Sequence, residues 1–138
     1  MKTMMNRTIK EIYGCEPIVS SEPLYPLQEW HNLLIEKTVD AITVADVARM
    51  LRQNELVDLA LSKAIRFLQQ DLFAGELFEG ELLETLSEID ATILKPVADD
   101  LKIIVKNAAE KQLTHEWLYD GEEDEFQEIV DALTAKIV

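Results

Sequence analysis

The spacing of apolar residues decides what this chain can fold into. Val44, Val47, Ala48 and Leu51 recur at i, i+3, i+4 and i+7, the repeat that lines one face of an α-helix. Thr43 stands before them as an N-cap, with Asp46 near the open amides of the first turn. Asn54 is a second N-cap candidate, ahead of a stripe formed by Val57, Ala60, Leu61, Ala64, Ile65 and Leu68. The join at Arg52 and Gln53 is short enough to make these two helices a hairpin or corner. Leu82, Leu86, Ile89 and Ile93 continue the pattern. Pro96 suits the first turn of another helix, whose face is Val97, Leu101, Ile104, Val105 and Ala108. Phe126, Ile129, Val130 and Leu133 mark a last one. Further helices are expected near 27–37, around Trp30, Leu33 and Leu34, and over 3–12.

Nothing in the chain competes with this reading. Period-two alternation never lasts beyond a few residues, and no hairpin turn lies between β-rich flanks. No internal repeat stands out. Gly14, Pro17, Pro23 and Pro26 break the pattern over 13–26, which reads as an irregular arm lying on the helices. The expectation is an all-α fold: a single compact helical domain over 1–138 with about six or seven helices.

Charge narrows the function classes. Thirteen Lys and Arg face 27 Asp and Glu, a net charge of −14. Such a chain repels phosphate, so neither nucleic acid nor an anionic membrane is an expected partner. The charge is also segregated. Residues 69–90 hold seven acids and no Lys or Arg, and residues 111–138 hold eight acids against two Lys. The rest of the chain is nearly neutral. Cys15 stands alone and cannot close an internal disulfide, and no apolar stretch follows the charges at the N-terminus. A soluble, cytoplasmic protein is the expectation.

Catalytic and metal-binding patterns are missing. Cys15, His31 and His115 are isolated from one another, which leaves no zinc ligand set. His115 and Glu116 begin like a metalloprotease helix motif, but Tyr119 stands where the second His belongs. Gln112 occupies the position a di-iron Glu would need before His115. The acidic run from Asp120 to Glu125 lacks the sixth-position Gly of a calcium loop. The four glycines form no phosphate loop, and the serines form no nucleophile elbow. No enzyme, cofactor or metal is expected.

What is present is acid on helices. Glu81, Glu84 and Glu88 share one predicted helix face opposite Leu82, Leu86 and Ile89. Asp124, Glu128 and Asp131 lie opposite Phe126, Ile129, Val130 and Leu133. Like charges at this spacing cost a helix a few tenths of a kcal/mol per pair, about 0.2–0.5, and no basic residues are interleaved. These faces read either as solvated surface or as a docking surface for a basic protein. Phe73, Phe78, Trp117 and Tyr119 lie in or beside the acidic segments as core residues or interface anchors. The candidate binding residues are Glu79, Glu81, Glu84, Glu88, Trp117, Tyr119, Asp120, Glu122, Glu123, Asp124 and Glu128.

Three stretches carry a resemblance: Ile42 to Asn54, with its helix start at Thr43 and Asp46 and its Gln53–Asn54 turn; Leu59 to Leu61; and Phe73 to Leu83. Together they resemble the immunity proteins of contact-dependent growth inhibition (CDI) systems, over roughly residues 39–88. Arg52 departs from the family pattern where Gly is expected, and Glu79 and Glu81 replace a Pro-like and an Asp-like position. The resemblance places no counterpart for residues 89–138. The resemblance implies a cytoplasmic protein that binds, one to one, the C-terminal toxin domain of a cognate CDI effector. It further implies a basic nuclease toxin, an RNase of the EndoU type that cuts tRNA, whose active-site cleft the acidic protein occludes. Gln53 and Asn54 are then turn residues and Gly80 a helix start, with the binding residues among the acids. The competing reading is an acidic binding module, or a nucleic-acid mimic, that regulates a different basic protein.

Overall fold

The apolar stripes become helices in the computed structural model of the chain, which describes residues 7–138. In order these are α1 (Ile9–Tyr13), α2 (Pro26–Ile35), α3 (Val44–Arg52), α4 (Val57–Gln70), α5 (Glu81–Ser87), α6 (Ala91–Leu94), α7 (Ala98–Lys111) and α8 (Glu122–Ile137). Six have seven residues or more, α1 and α6 are single turns, and single 3-10 turns lie between some of them. Among the described residues there is no β-strand, only an isolated bridge between Thr8 and Thr38. The fold is all-α. Part of the helix expected over 3–12 lies outside the described residues, and the helix found there begins at Ile9.

The chain divides into two compact units, Met1–Asp46 and Val47–Val138, so the boundary falls inside α3. In the first unit α1 packs on α2, with Ile9, Leu34 and Ile35 buried. The segment between these helices is irregular. Asn32 ties it to α2: its Oδ1 accepts from the Ile18 amide at 2.7 Å and its Nδ2 donates to the Ile18 carbonyl at 3.0 Å. One side-chain amide thus satisfies both backbone groups of a residue that has no strand partner.

Asp46 is the polar hub of this unit. Thr43 Oγ1 accepts from the Asp46 amide and Asp46 Oδ2 accepts from the Thr43 amide, both at 3.1 Å, a reciprocal cap at the expected start of α3. The same carboxylate accepts from Lys37 Nζ at 2.6 Å and from the Trp30 indole at 3.1 Å. Burial pushes the Asp46 carboxyl up. The hydrogen bonds from Lys37, Thr43 and Trp30, with the Lys37 charge, outweigh it and hold the group below the ordinary carboxylate value.

The second unit carries the larger core. α5 and α7 both pack on α8, and α4 packs on α5 and α7. Leu68, Leu82, Leu83, Leu86, Leu101 and Leu133 are fully enclosed. Each such leucine contributes roughly 1.5–3 kcal/mol of transfer free energy, which the ordering of the chain largely offsets. The start of α4 departs from the sequence expectation. Asn54 is not its N-cap: Asn54 and Leu56 both take positive φ, 53° and 48°, and the helix begins only at Val57. Asn tolerates the left-handed region through its short polar side chain, so it serves the turn rather than the helix end. Pro96 enters as expected, in the 3-10 turn Lys95–Val97 that runs into α7.

Replacing Asp46 with Asn should lower unfolding free energy at pH 7 by about 1–3 kcal/mol, because the Lys37 ammonium keeps only a neutral partner. The carboxylate's contribution is complete above the ordinary value of 3.8 and disappears as pH falls through the lower folded value. The stability gap between wild type and Asp46→Asn, read from urea unfolding, should therefore close on acidification below that range.

Candidate functional site

The two acidic segments of the sequence meet in space. The packing of α5 on α8 leaves a groove of about 700 Å³, lined on one side by Leu77, Phe78, Glu79 and Glu84 and on the other by Leu118, Tyr119, Glu125 and Glu128. Its lining includes no Lys, Arg or His. Ile129, expected as part of the buried face of α8, is half-buried and lines the groove instead.

The groove is built from one local structure used twice. Leu77-Phe78-Glu79-Gly80-Glu81 and Leu118-Tyr119-Asp120-Gly121-Glu122 share the order Leu, aromatic, acid, Gly, Glu, and each ends on the first residue of a helix. The glycines are left-handed, with φ of 85° and 94°. In both turns the aromatic residue's carbonyl accepts the Glu amide at 3.3 Å. In both, the Gly carbonyl then accepts the first α-helical bond, from Glu84 at 3.0 Å and from Glu125 at 3.1 Å. The Glu side chain finally folds back over the turn. Glu81 Oε1 accepts from the Leu77 amide at 3.2 Å, and Glu122 Oε1 accepts from the Leu118 amide at 2.7 Å. This repeat is the internal similarity that the sequence reading missed. A five-residue element used twice has no period, and its signal was the shared Leu-aromatic-acid-Gly-Glu order alone.

An aromatic cluster holds the two turns side by side. Phe73, just before the first turn, stacks on His115 at 4.0 Å between ring centroids, and His115 meets Trp117, just before the second, edge-on at 4.5 Å. Phe126 of α8 lies 5.1 Å from Phe73 and 5.3 Å from Trp117. His115 Nε2 also donates to Glu79, so one hydrogen bond joins the segment before the second turn to the first turn. The Trp117 indole donates to the Gln112 carbonyl at 3.3 Å.

The predicted residues therefore divide. Glu81 and Glu122 are 3% and 8% exposed, and their carboxylates are spent on backbone amides. Glu81 also accepts from the Glu76 amide at 2.7 Å and lies 3.6 Å from Arg52 Nη2. Glu79, Glu84, Tyr119 and Glu128 come together in the groove. Glu88 is exposed but lines a different hollow, beside Arg52 and Asn54. Asp120, Glu123 and Asp124 are exposed outside the groove lining, and Trp117 is half-buried in the aromatic cluster. Sequence reasoning did not single out Leu77, Leu118 or Glu125. The leucines are 77% and 80% exposed, beside Phe78 at 45% and Tyr119 at 53%. The Tyr119 hydroxyl donates to Glu125 Oε2 at 2.7 Å. That bond, then partial burial and the charges of Glu125 and Glu122, push its pKa above the ordinary value.

Among the described residues no three His, Cys, Asp or Glu side chains gather as a metal set, and no helix is long and apolar enough to cross a membrane. What the site offers is apolar tips between carboxylates, the makeup of a protein-binding surface. A family model of CDI immunity proteins matches residues 11–104, which include the first turn and all of α5. The chain belongs to the CDI immunity proteins. No curated protein sequence matches it. An immunity protein of this family protects against a CDI toxin, so its function rests on recognising that toxin. In this immunity protein the second turn and α8 lie beyond the matched residues, and half of the groove lies there with them.

The two turns should respond differently to the same substitution. An added Cβ at Gly80 meets Phe126 Cδ1 at 2.9 Å, whereas one at Gly121 meets nothing within 4 Å. Gly121→Ala should cost only the left-handed strain of about 1–2 kcal/mol. Gly80→Ala should add a packing penalty of about 1–3 kcal/mol, seen as a clearly lower midpoint in thermal unfolding.

Proposed function

We propose that this immunity protein neutralises a nuclease toxin domain, the C-terminal part of its cognate CDI effector, by laying the groove between α5 and α8 over the toxin's basic active-site cleft. The observation that carries the reading is the convergence of two acidic segments, distant in sequence, on one groove whose lining has no cation. A nuclease must hold phosphates and therefore lines its substrate cleft with Lys and Arg. An acidic surface is the complementary object. It steers encounter from a distance, and it excludes the substrate once seated. The net charge of −14 supports the same reading, because it opposes any direct association with the nucleic acid the toxin attacks. The complex is one to one, forms in the cytoplasm, and needs no catalysis by the immunity protein.

The acids that face the partner in this account are Glu79, Glu84, Glu125 and Glu128. Glu81 and Glu122 shape the turns. Reversing Glu84 and Glu128 to Lys should abolish growth protection in cells that express the cognate toxin domain, while circular dichroism shows an unchanged helical fold. Association with the purified toxin should slow by at least about tenfold in wild type as salt rises from low to physiological strength, and that dependence should be weaker in the variant. Full protection by the reversed variant would remove this groove from the mechanism.

A further inference from the structure

The groove has a chemistry more specific than negative charge. Both turns lift a leucine and an aromatic ring toward solvent at its mouth: Leu77 with Phe78, and Leu118 with Tyr119. Exposed leucines at the same position of two matched turns are a poor way to keep a protein soluble. Carboxylates flank each pair. Glu84 and Glu128 have no cationic partner among the described residues. The volume, about 700 Å³, holds a few side chains and not a domain.

We infer that the groove receives one basic, amphipathic segment of the toxin domain, which seats an apolar side chain between the Leu77–Phe78 and Leu118–Tyr119 pairs and sets Lys or Arg against the carboxylates on either side. This inference rests on the immunity reading above and gives it an anchor. Rim charges speed association and select the partner, but tight binding needs a desolvated apolar centre. The two turns supply that centre, held apart at a fixed spacing by the Phe73–His115–Trp117–Phe126 cluster. A second copy of this chain is the wrong occupant, because it would set carboxylates against carboxylates at a net charge of −14 on each partner. Nucleic acid and anionic lipid are wrong for the same reason.

The test is calorimetric titration of the full-length chain with its cognate toxin domain, the latter in a catalytically inactive form. Leu77→Arg and Leu118→Arg each place a cation where the basic segment must sit, and Leu113→Arg, 75% exposed outside the groove, is the control. Each groove variant should weaken binding by about tenfold or more and the pair by at least about a hundredfold, with the control unchanged. Should the paired variant unfold, Leu77→Ser with Leu118→Ser makes the same test, with an expected loss of about tenfold. Wild type that fails to bind the toxin domain overturns the immunity reading itself. Tight wild-type binding that the paired variant retains overturns the groove inference alone. Wild-type dimers in sedimentation that the paired variant dissolves would place a second copy there and overturn it as well.

Discussion

Burying a carboxylate in a protein this acidic is costly unless backbone dipoles or a cation offset it. Glu81 meets that condition with two amides, those of Glu76 and Leu77, and with Arg52 nearby. Glu122 meets it with the Leu118 amide. Each of these side chains sits at the open end of a helix, where four amides lack intrahelical partners and the positive end of the dipole favours an anion. The turn, the direction of the helix that follows and the outward pose of Leu77, Phe78, Leu118 and Tyr119 all depend on this arrangement. Without the inward carboxylates the amides of Leu77 and Leu118 would lose their side-chain acceptors.

The arrangement also gives the acidity of the two segments two separate causes. Some of the charge is structural, spent on helix starts and turn amides. Another part, on Glu79, Glu84, Glu125 and Glu128, lines the groove, and Glu88, Asp120, Glu123 and Asp124 lie outside it. A count of charges along the sequence merges the two. Their separation changes which substitutions are informative: Glu81 and Glu122 hold turn amides, whereas Glu84 and Glu128 are the acids that the proposed docking would use.

The helices were legible in the sequence because the cores of α3, α4, α7 and α8 are single apolar stripes, and Thr43 announced the start of α3 by its chemistry. The face reading of α5 failed locally. Helical spacing puts Glu81, Glu84 and Glu88 in one row, but a residue at the first helical position is free to fold back over the preceding turn, and Glu81 does so. Asn54 drew two readings, N-cap and turn residue, because both places favour the same residue type, and the positive φ decides for the turn. The site itself needed tertiary proximity. Phe73 and His115 lie far apart in the sequence, and only the fold stacks them and closes the two turns around one groove.

In the proposed complex both turns form one docking surface. Hydrogen exchange of the backbone amides, with and without saturating cognate toxin domain, reports on it residue by residue. New protection is expected in both 76–80 and 117–121 on binding, with the amides of α7 and of the arm before α2 unchanged. Protection confined to one turn, or appearing only away from both, would contradict it.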